Sequence, residues 1–121
     1  MAHHIQMGKK AEELALKFLL SKGYKILSTN WRSCKKEIDI IAQSDSKLII
    51  VEVKSRSQSI HPYAGEVVNL KKQRHLILAA ESYIKRNAIT LPVRFDIISI
   101  VFSGYKIDIE HIEDAFFPEP G

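Results

Sequence analysis

Apolar residues at helical spacing open the chain. Between residues 7 and 21, Ala11, Leu14, Ala15, Phe18 and Leu20 mark out the stripe of an amphipathic helix, and Gly23 supplies its stop. Glu12 and Glu13 fall in the early turns of that helix, where a carboxylate complements the dipole. Period-two patterning follows. Residues 24–32 read as a strand, then come two strongly apolar runs, Glu37-Ile38-Asp39-Ile40-Ile41 and Leu48-Ile49-Ile50-Val51-Glu52-Val53-Lys54, with residues 43–47 as the turn between them. Serines, Pro62 and Gly65 make residues 55–65 a loop. A second helical stripe, Leu76, Ala79, Ala80, Tyr83 and Ile84, predicts a helix over 68–86 with Lys71, Lys72, Arg74, Lys85 and Arg86 among its polar positions. Residues 94–102 predict a fourth strand, Ser103-Gly104 a tight turn, and 105–109 a fifth strand with the alternation of a sheet edge. An acidic tail ends in Phe116-Phe117-Pro118, whose aromatics are expected to pack back onto the domain or onto a partner chain. The expected fold is α/β: one domain over residues 1–121, in the order helix, three-stranded antiparallel meander, helix, strand, with a mixed central sheet flanked by helices.

Carboxylates inside the two apolar runs do not fit plain strands. With Asp45-Ser46 at the tip of a symmetric hairpin, Asp39 falls opposite Glu52 and Glu37 opposite Lys54. Like charges across a ladder repel, so a positive charge is expected between Asp39 and Glu52. A hard divalent cation, Mg²⁺ or Mn²⁺, meets that need, because such ions take oxygen ligands, one or two carboxylates from the protein, and keep waters suited to phosphate hydrolysis. Asp39 and Glu52 are the expected ligands. Lys54, on the same face as Glu52, would orient a water or stabilise charge on phosphoryl oxygens, and Glu37 would hold Lys54 in place. Taken singly, any of these charges would be an ordinary residue on the polar face of a hairpin. The composite, with Glu52 set among Val51, Val53 and three further aliphatics, points to a site.

Charge distribution extends this picture. The chain carries a net +4, but residues 1–36 hold +6, residues 37–52 hold −3 and residues 53–86 hold +5, so basic segments flank the acidic one. That pattern suits a polyanionic partner. A hydrophobic fraction of 45% and no apolar run of membrane-spanning length predict a soluble protein that crosses no membrane. Residues 1–10 lack the apolar stretch of a secretory peptide; Ala2-His3-His4 is left out of this reading. The lone cysteine, Cys34, forms no internal disulfide and has no partners at zinc spacing, which suits the cytoplasm.

Asp on the second strand and Glu-Val-Lys on the third resemble the restriction-endonuclease-like superfamily and its PD-(D/E)xK signature. A closer resemblance is to the YraN family of small bacterial proteins for which an endonuclease activity is expected. It is carried by Gly8-Lys9-Lys10-Ala11-Glu12-Glu13-Leu14-Ala15, Gly23-Tyr24, Asn30-Trp31-Arg32, Glu37-Ile38-Asp39, Val51-Glu52-Val53-Lys54-Ser55-Arg56, Val68, Lys72 and Arg94-Phe95-Asp96, and covers nearly the whole chain. Lys36 and Ala11 stand where that family commonly has glycine. The resemblance implies a fold shared with archaeal Holliday junction resolvases and an active-site set of Glu12, Asp39, Glu52 and Lys54, with Lys72 and Gln73 lining the same cleft. It implies a metal-dependent endonuclease acting on DNA, branched or junction DNA above all, with Lys9, Lys10, Arg32, Lys36, Arg56 and Lys71 on backbone phosphates. Two other roles are compatible with the same residues. One is a catalytically silent nucleic-acid-binding module of the same fold; the other is assembly, a homodimer formed through Phe116, Phe117 and the edge strand.

Overall fold

Element by element, the alternation of periods becomes two helices and five strands. The computed structural model describes residues 2–57 and 68–118, with side chains described from Met7 onward. Along the chain lie helix α1 (Ala2–Ser21), strands β1 (Lys25–Ser33), β2 (Lys36–Ser44) and β3 (Lys47–Ser57), helix α2 (Leu70–Arg86), and strands β4 (Val93–Ser103) and β5 (Lys106–Phe116).

Helix α1 starts about a turn earlier than its apolar stripe predicts, because nothing in residues 2–7 breaks a helix. Its first turn therefore holds no acid. Glu12 and Glu13 lie mid-helix, which removes the dipole explanation for them. The buried face is Ala11, Ala15 and Leu19, four residues apart; Leu20, expected in the stripe, is 57% exposed and Leu19 takes its place. At the C-terminus, Gly23 adopts φ 90°, while the Gly23 and Tyr24 N–H groups bond to the carbonyls of Leu20 and Leu19 at 3.0 Å. This is a glycine-closed helix end, and Tyr24 packs beside Leu19 as such ends favour.

The strands form one sheet in the order β1-β2-β3-β4-β5, with every neighbouring pair antiparallel except β3 and β4, which run parallel. That parallel pair needs a crossover, which α2 supplies. One face of the sheet, with Ile40, Ala42, Ile49, Val51, Ile98 and Ile100, packs on α1. The other face, with Ile41, Leu48, Ile50 and Phe95, packs on Leu76, Ala79, Ala80 and Tyr83 of α2. Strand β3 is thus covered on both faces, which is why residues 48–51 are aliphatic without alternation.

Beyond the start of α1, four boundaries differ from the expectation. The β2–β3 turn is only Asp45-Ser46, with φ 54° at Asp45, so Gln43, Ser44 and Lys47 belong to strands. Strand β3 runs on to Ser57 because its parallel pairing with β4 continues to Phe102; the rest of the expected loop lies outside the described residues. Helix α2 begins at Leu70, not Val68, because the Asn69 side chain caps it by accepting the Lys72 N–H at 2.9 Å. Strand β5 extends to Phe116, so the supposed acidic tail is an edge strand whose charges discourage further pairing. Phe116 stacks on Phe95 with ring centroids 5.1 Å apart, whereas Phe117 is 71% exposed. The two aromatics therefore part company, Phe116 packing onto the domain and Phe117 facing outward.

Between β1 and β2, Cys34 and Lys35 form a two-residue turn with φ 51° and 68°. Both are left-handed, a conformation that favours Asn-Gly and disfavours longer side chains. Replacing them by Cys34→Asn with Lys35→Gly is expected to raise stability by about 1–2 kcal/mol, read as a higher denaturation midpoint with an unchanged slope. Lys36 lies in β2 outside the left-handed region and needs no glycine's freedom.

Candidate functional site

The β2–β3 ladder runs from Ser44 opposite Lys47 to Ile40 opposite Val51 and stops there. Its register is the one the symmetric hairpin predicts, so the next pair would be Asp39 and Glu52. A side-chain bond stands in place of a backbone bond: Asp39 Oδ2 accepts the Val53 N–H at 2.8 Å. Beyond this point β2 keeps only β1, pairing Ile38 with Trp31 and Glu37 with Arg32, while β3 keeps only β4. The strands fork, and the two acids occupy the fork within hydrogen-bonding reach of each other.

Glu52 is buried, 7% exposed. Its Oε2 lies 3.8 Å from Lys72 Nζ, in the first turn of α2, while its Oε1 is buried without a hydrogen-bond partner. Burial, with the Asp39 carboxylate next, pushes Glu52 up to about 7 against the opposing pull of Lys72 and Lys54. Burial also raises Asp39; the Val53 N–H and Lys72 oppose the rise. The two acids titrate as a pair, and part of the positive charge that the sequence demands between them comes from α2.

Glu12 reaches the same region from α1. It lines a cleft of about 270 Å³ with Lys9, Leu16, Thr29, Asn30 and Asp39. Burial raises its carboxyl, Asp39 and Glu37 add to the rise, and a hydrogen bond with the Asn30 side chain opposes it. Asn30 is a site residue that strand patterning passes over, though asparagine in a strand is itself a signal, and here it holds φ 50°. Lys54 lies near enough to lower Glu52, but Glu37 does not hold it. Past the fork Glu37 faces β1, and its carboxylate pairs with Arg32 at 3.5 Å. Gln73 does not join the acids either: its Nε2 donates to the Val68 carbonyl at 2.8 Å, at the start of its own helix. Of the expected phosphate contacts, Lys9 lines the cleft, Lys10 and Lys71 are exposed on α1 and α2, and Lys36 is half-buried at the start of β2. Arg32 is exposed and paired with Glu37, and Arg56 is half-buried with Nε and Nη2 shielded from solvent.

The donor set fits Mg²⁺ or Mn²⁺. Two carboxylates stand side by side with one buried oxygen unsatisfied, and such ions accept one or two protein carboxylates with water completing the shell. Among the described residues no three His, Cys, Asp or Glu side chains converge as a metal-binding group, and the carboxylates that would hold such an ion are the pair Asp39 and Glu52.

Without metal, Glu52 should make the protein less stable as pH rises. Its folded-state value lies above the ordinary 4.5, so the folded state holds the extra proton, and stability declines from there through about 7. Glu52→Gln removes this decline. In EDTA the variant should melt several degrees above wild type at about pH 8 and close to it at about pH 5, as followed by circular dichroism. Added Mg²⁺ should raise the midpoint of wild type but not of the variant.

A second acid in an apolar strand, Asp96, has the opposite character. Fully buried, it accepts from Arg94 Nε at 2.9 Å and Nη2 at 2.8 Å, from His111 Nε2 at 2.7 Å and from the Asp114 N–H at 3.0 Å. Burial alone would raise it; the bonds from His111, Arg94 and Asp114 outweigh burial and hold it below the usual carboxylate value. Lys22 Nζ, which can only donate, sits 2.9 Å from His111 Nδ1, so the ring carries its proton on Nε2. Arg94 Nη2 also donates to the Tyr24 hydroxyl at 2.8 Å. Nothing is left unsatisfied on Asp96, which makes it an internal tie between β4, β5 and the end of α1.

Residues 11–100 match the sequence pattern described as "Uncharacterised protein family UPF0102". A UPF0102 protein of Phocaeicola vulgatus is 42% identical over 118 residues, covering 98% of each chain. One from Flavobacterium psychrophilum is 44% identical over 117 residues, covering 97% of this chain and 98% of its own. One from Porphyromonas gingivalis is 43% identical over 118 residues, covering 96% and 87%.

Proposed function

This chain belongs to the UPF0102 family, and on that premise we propose that it is a metal-dependent endonuclease hydrolysing phosphodiester bonds in DNA, branched or junction DNA above all, on a restriction-endonuclease-like core. The observation that carries the reading is the fork itself: Asp39 and Glu52 side by side, one Glu52 oxygen unsatisfied and Lys54 two residues further along β3. Membership of the family adds kinship, not chemistry.

Asp39 and Glu52 would hold Mg²⁺ or Mn²⁺, which when bound supplies Lewis-acid polarisation of the phosphate and an acidified water. The chain's own residues do the rest. The Val53 N–H fixes Asp39, leaving its other oxygen for a ligand. Lys72 favours the ionised form of Glu52. Lys54 places an ammonium where negative charge grows on the phosphoryl oxygens. Glu12 and Asn30 form the α1 side of the approach, and Lys9 meets the backbone phosphates there. A cytoplasmic location accompanies this reading, and no helix among the described residues is long and apolar enough to cross a membrane.

A second reading, a silent binding module of the same fold, draws on the proton and the Lys72 charge that already compensate the acids without metal. The test is cleavage of labelled four-way junction, flap, single-stranded and linear duplex DNA with Mg²⁺, Mn²⁺ or EDTA. Metal-dependent product, greatest on the junction, is expected. Binding that survives EDTA, weakens steeply with salt and gives no product with either metal overturns the enzyme in favour of the module.

A further inference from the structure

Helix α2 has apolar residues on two faces. Leu76, Ala79, Ala80 and Tyr83 bury one against the sheet. On the opposite side Leu70 and Leu78 are 61% and 51% exposed, and with Ile77 and Phe117 they line a cavity of about 570 Å³ that Arg74 and Glu81 border. At 100° per residue, Leu70, Arg74, Ile77, Leu78 and Glu81 fall in one sector centred away from the sheet. Leu70 and Leu78 of that sector are left uncovered by the described residues, while Ile77 at its margin also packs against the α2 side of the core.

The charges identify what covers it. Arg74 and Glu81 are two helical turns apart, opposite in sign, and both exposed; among the described residues neither has an ion-pair partner. The point midway between them lies between Ile77 and Leu78. A two-fold axis through that point sets Arg74 of one copy against Glu81 of the other, twice, and packs Ile77 and Leu78 on their symmetry mates at the centre. Leu70 then meets the aliphatic stem of Lys85 from the second copy. Without the axis, the face would need a partner carrying the reversed charge pattern at the same spacing; with it, a second copy of this chain provides that pattern.

We infer that this face of α2 is an isologous interface, an antiparallel α2–α2 contact between two copies of this chain. The contact does not involve the acids of the fork, and it stands or falls independently of DNA cleavage. The edge strand and Phe116 have no part in it.

Sedimentation equilibrium of the full chain tests the inference. Wild type should be a dimer at micromolar concentration. Arg74→Glu and Glu81→Arg should each weaken dimerisation by about tenfold or more, because each sets like charges together at two symmetric positions. Arg74→Glu combined with Glu81→Arg should recover most of the wild-type affinity. Leu78→Glu should give monomers whose circular dichroism matches wild type, since the side chain is exposed. A wild-type monomer throughout the micromolar range overturns the inference. So does a dimer indifferent to the single charge reversals, or one that the double exchange fails to restore.

Discussion

Asp39→Asn and Glu52→Gln should each lower metal-dependent cleavage by about a hundredfold or more in kcat/KM, with the fold intact. Each substitution keeps the shape of the side chain and removes the anionic oxygens a hard cation needs. The two variants should differ in stability. Asp39 Oδ2 accepts the Val53 N–H where the ladder ends, so Asn at 39 keeps that acceptor if its amide turns the right way. Gln at 52 relieves a buried charge and should stabilise the apoprotein. Activity lost together with a higher melting temperature is therefore the specific signature for Glu52→Gln. Equal activity of wild type and both variants on every DNA tested would dismiss the fork as the reaction centre.

Asp96→Ala should destabilise the fold by about 3–5 kcal/mol, the largest stability loss expected from a single substitution in this chain. It leaves the Arg94 guanidinium, with its side chain 15% exposed, and the His111 ring, 3% exposed, facing a cavity where an anion stood. The unfolded form then gains from hydrating both groups. Removing Asp96 and Arg94 together, as Asp96→Val with Arg94→Leu, should cost less than Asp96→Ala alone, because no charge is stranded. Urea denaturation of the three proteins measures this; a double variant as weak as the single would show that the tie matters for more than charge. The sign in acid is opposite to that of Glu52. Asp96 sits below its unfolded value near 3.8, so its contribution is complete above that pH and fades as the pH drops through the lower folded-state value.

Comparing these acids shows how far the amino-acid order reaches. Period and turn chemistry place all seven elements, and the hairpin register follows from Asp45-Ser46, which brings Asp39 level with Glu52. Where the ladder stops is not legible, because it depends on β2 turning toward β1 and β3 toward β4. The pattern therefore sets Glu37 beside Lys54, whereas its true neighbour is Arg32. An acid among aliphatics is also ambiguous alone: Glu52 and Asp96 have the same local pattern, yet one oxygen of Glu52 is unsatisfied while Asp96 is fully bonded. Arg94, two residues before Asp96 on the same side of β4, is the feature that marks the difference. The bond between Asp96 and His111 needs the β4–β5 pairing and could not be read from spacing. Strand extensions to Ser57 and Phe116 escape the pattern for a related reason, since partner strands carry into the sheet polar residues that composition assigns to loops.

The parallel pairing of β3 with β4 has an effect on how the protein is made. Residues 48–51, the most adhesive stretch of the chain, leave the ribosome about forty-five residues ahead of the strand that will cover their far side. At ordinary translation speeds that delay lasts about two to nine seconds. During it the nascent hairpin has a bare aliphatic margin able to join a neighbouring chain, so synthesis, more than the finished molecule, is when this protein is most at risk of aggregation.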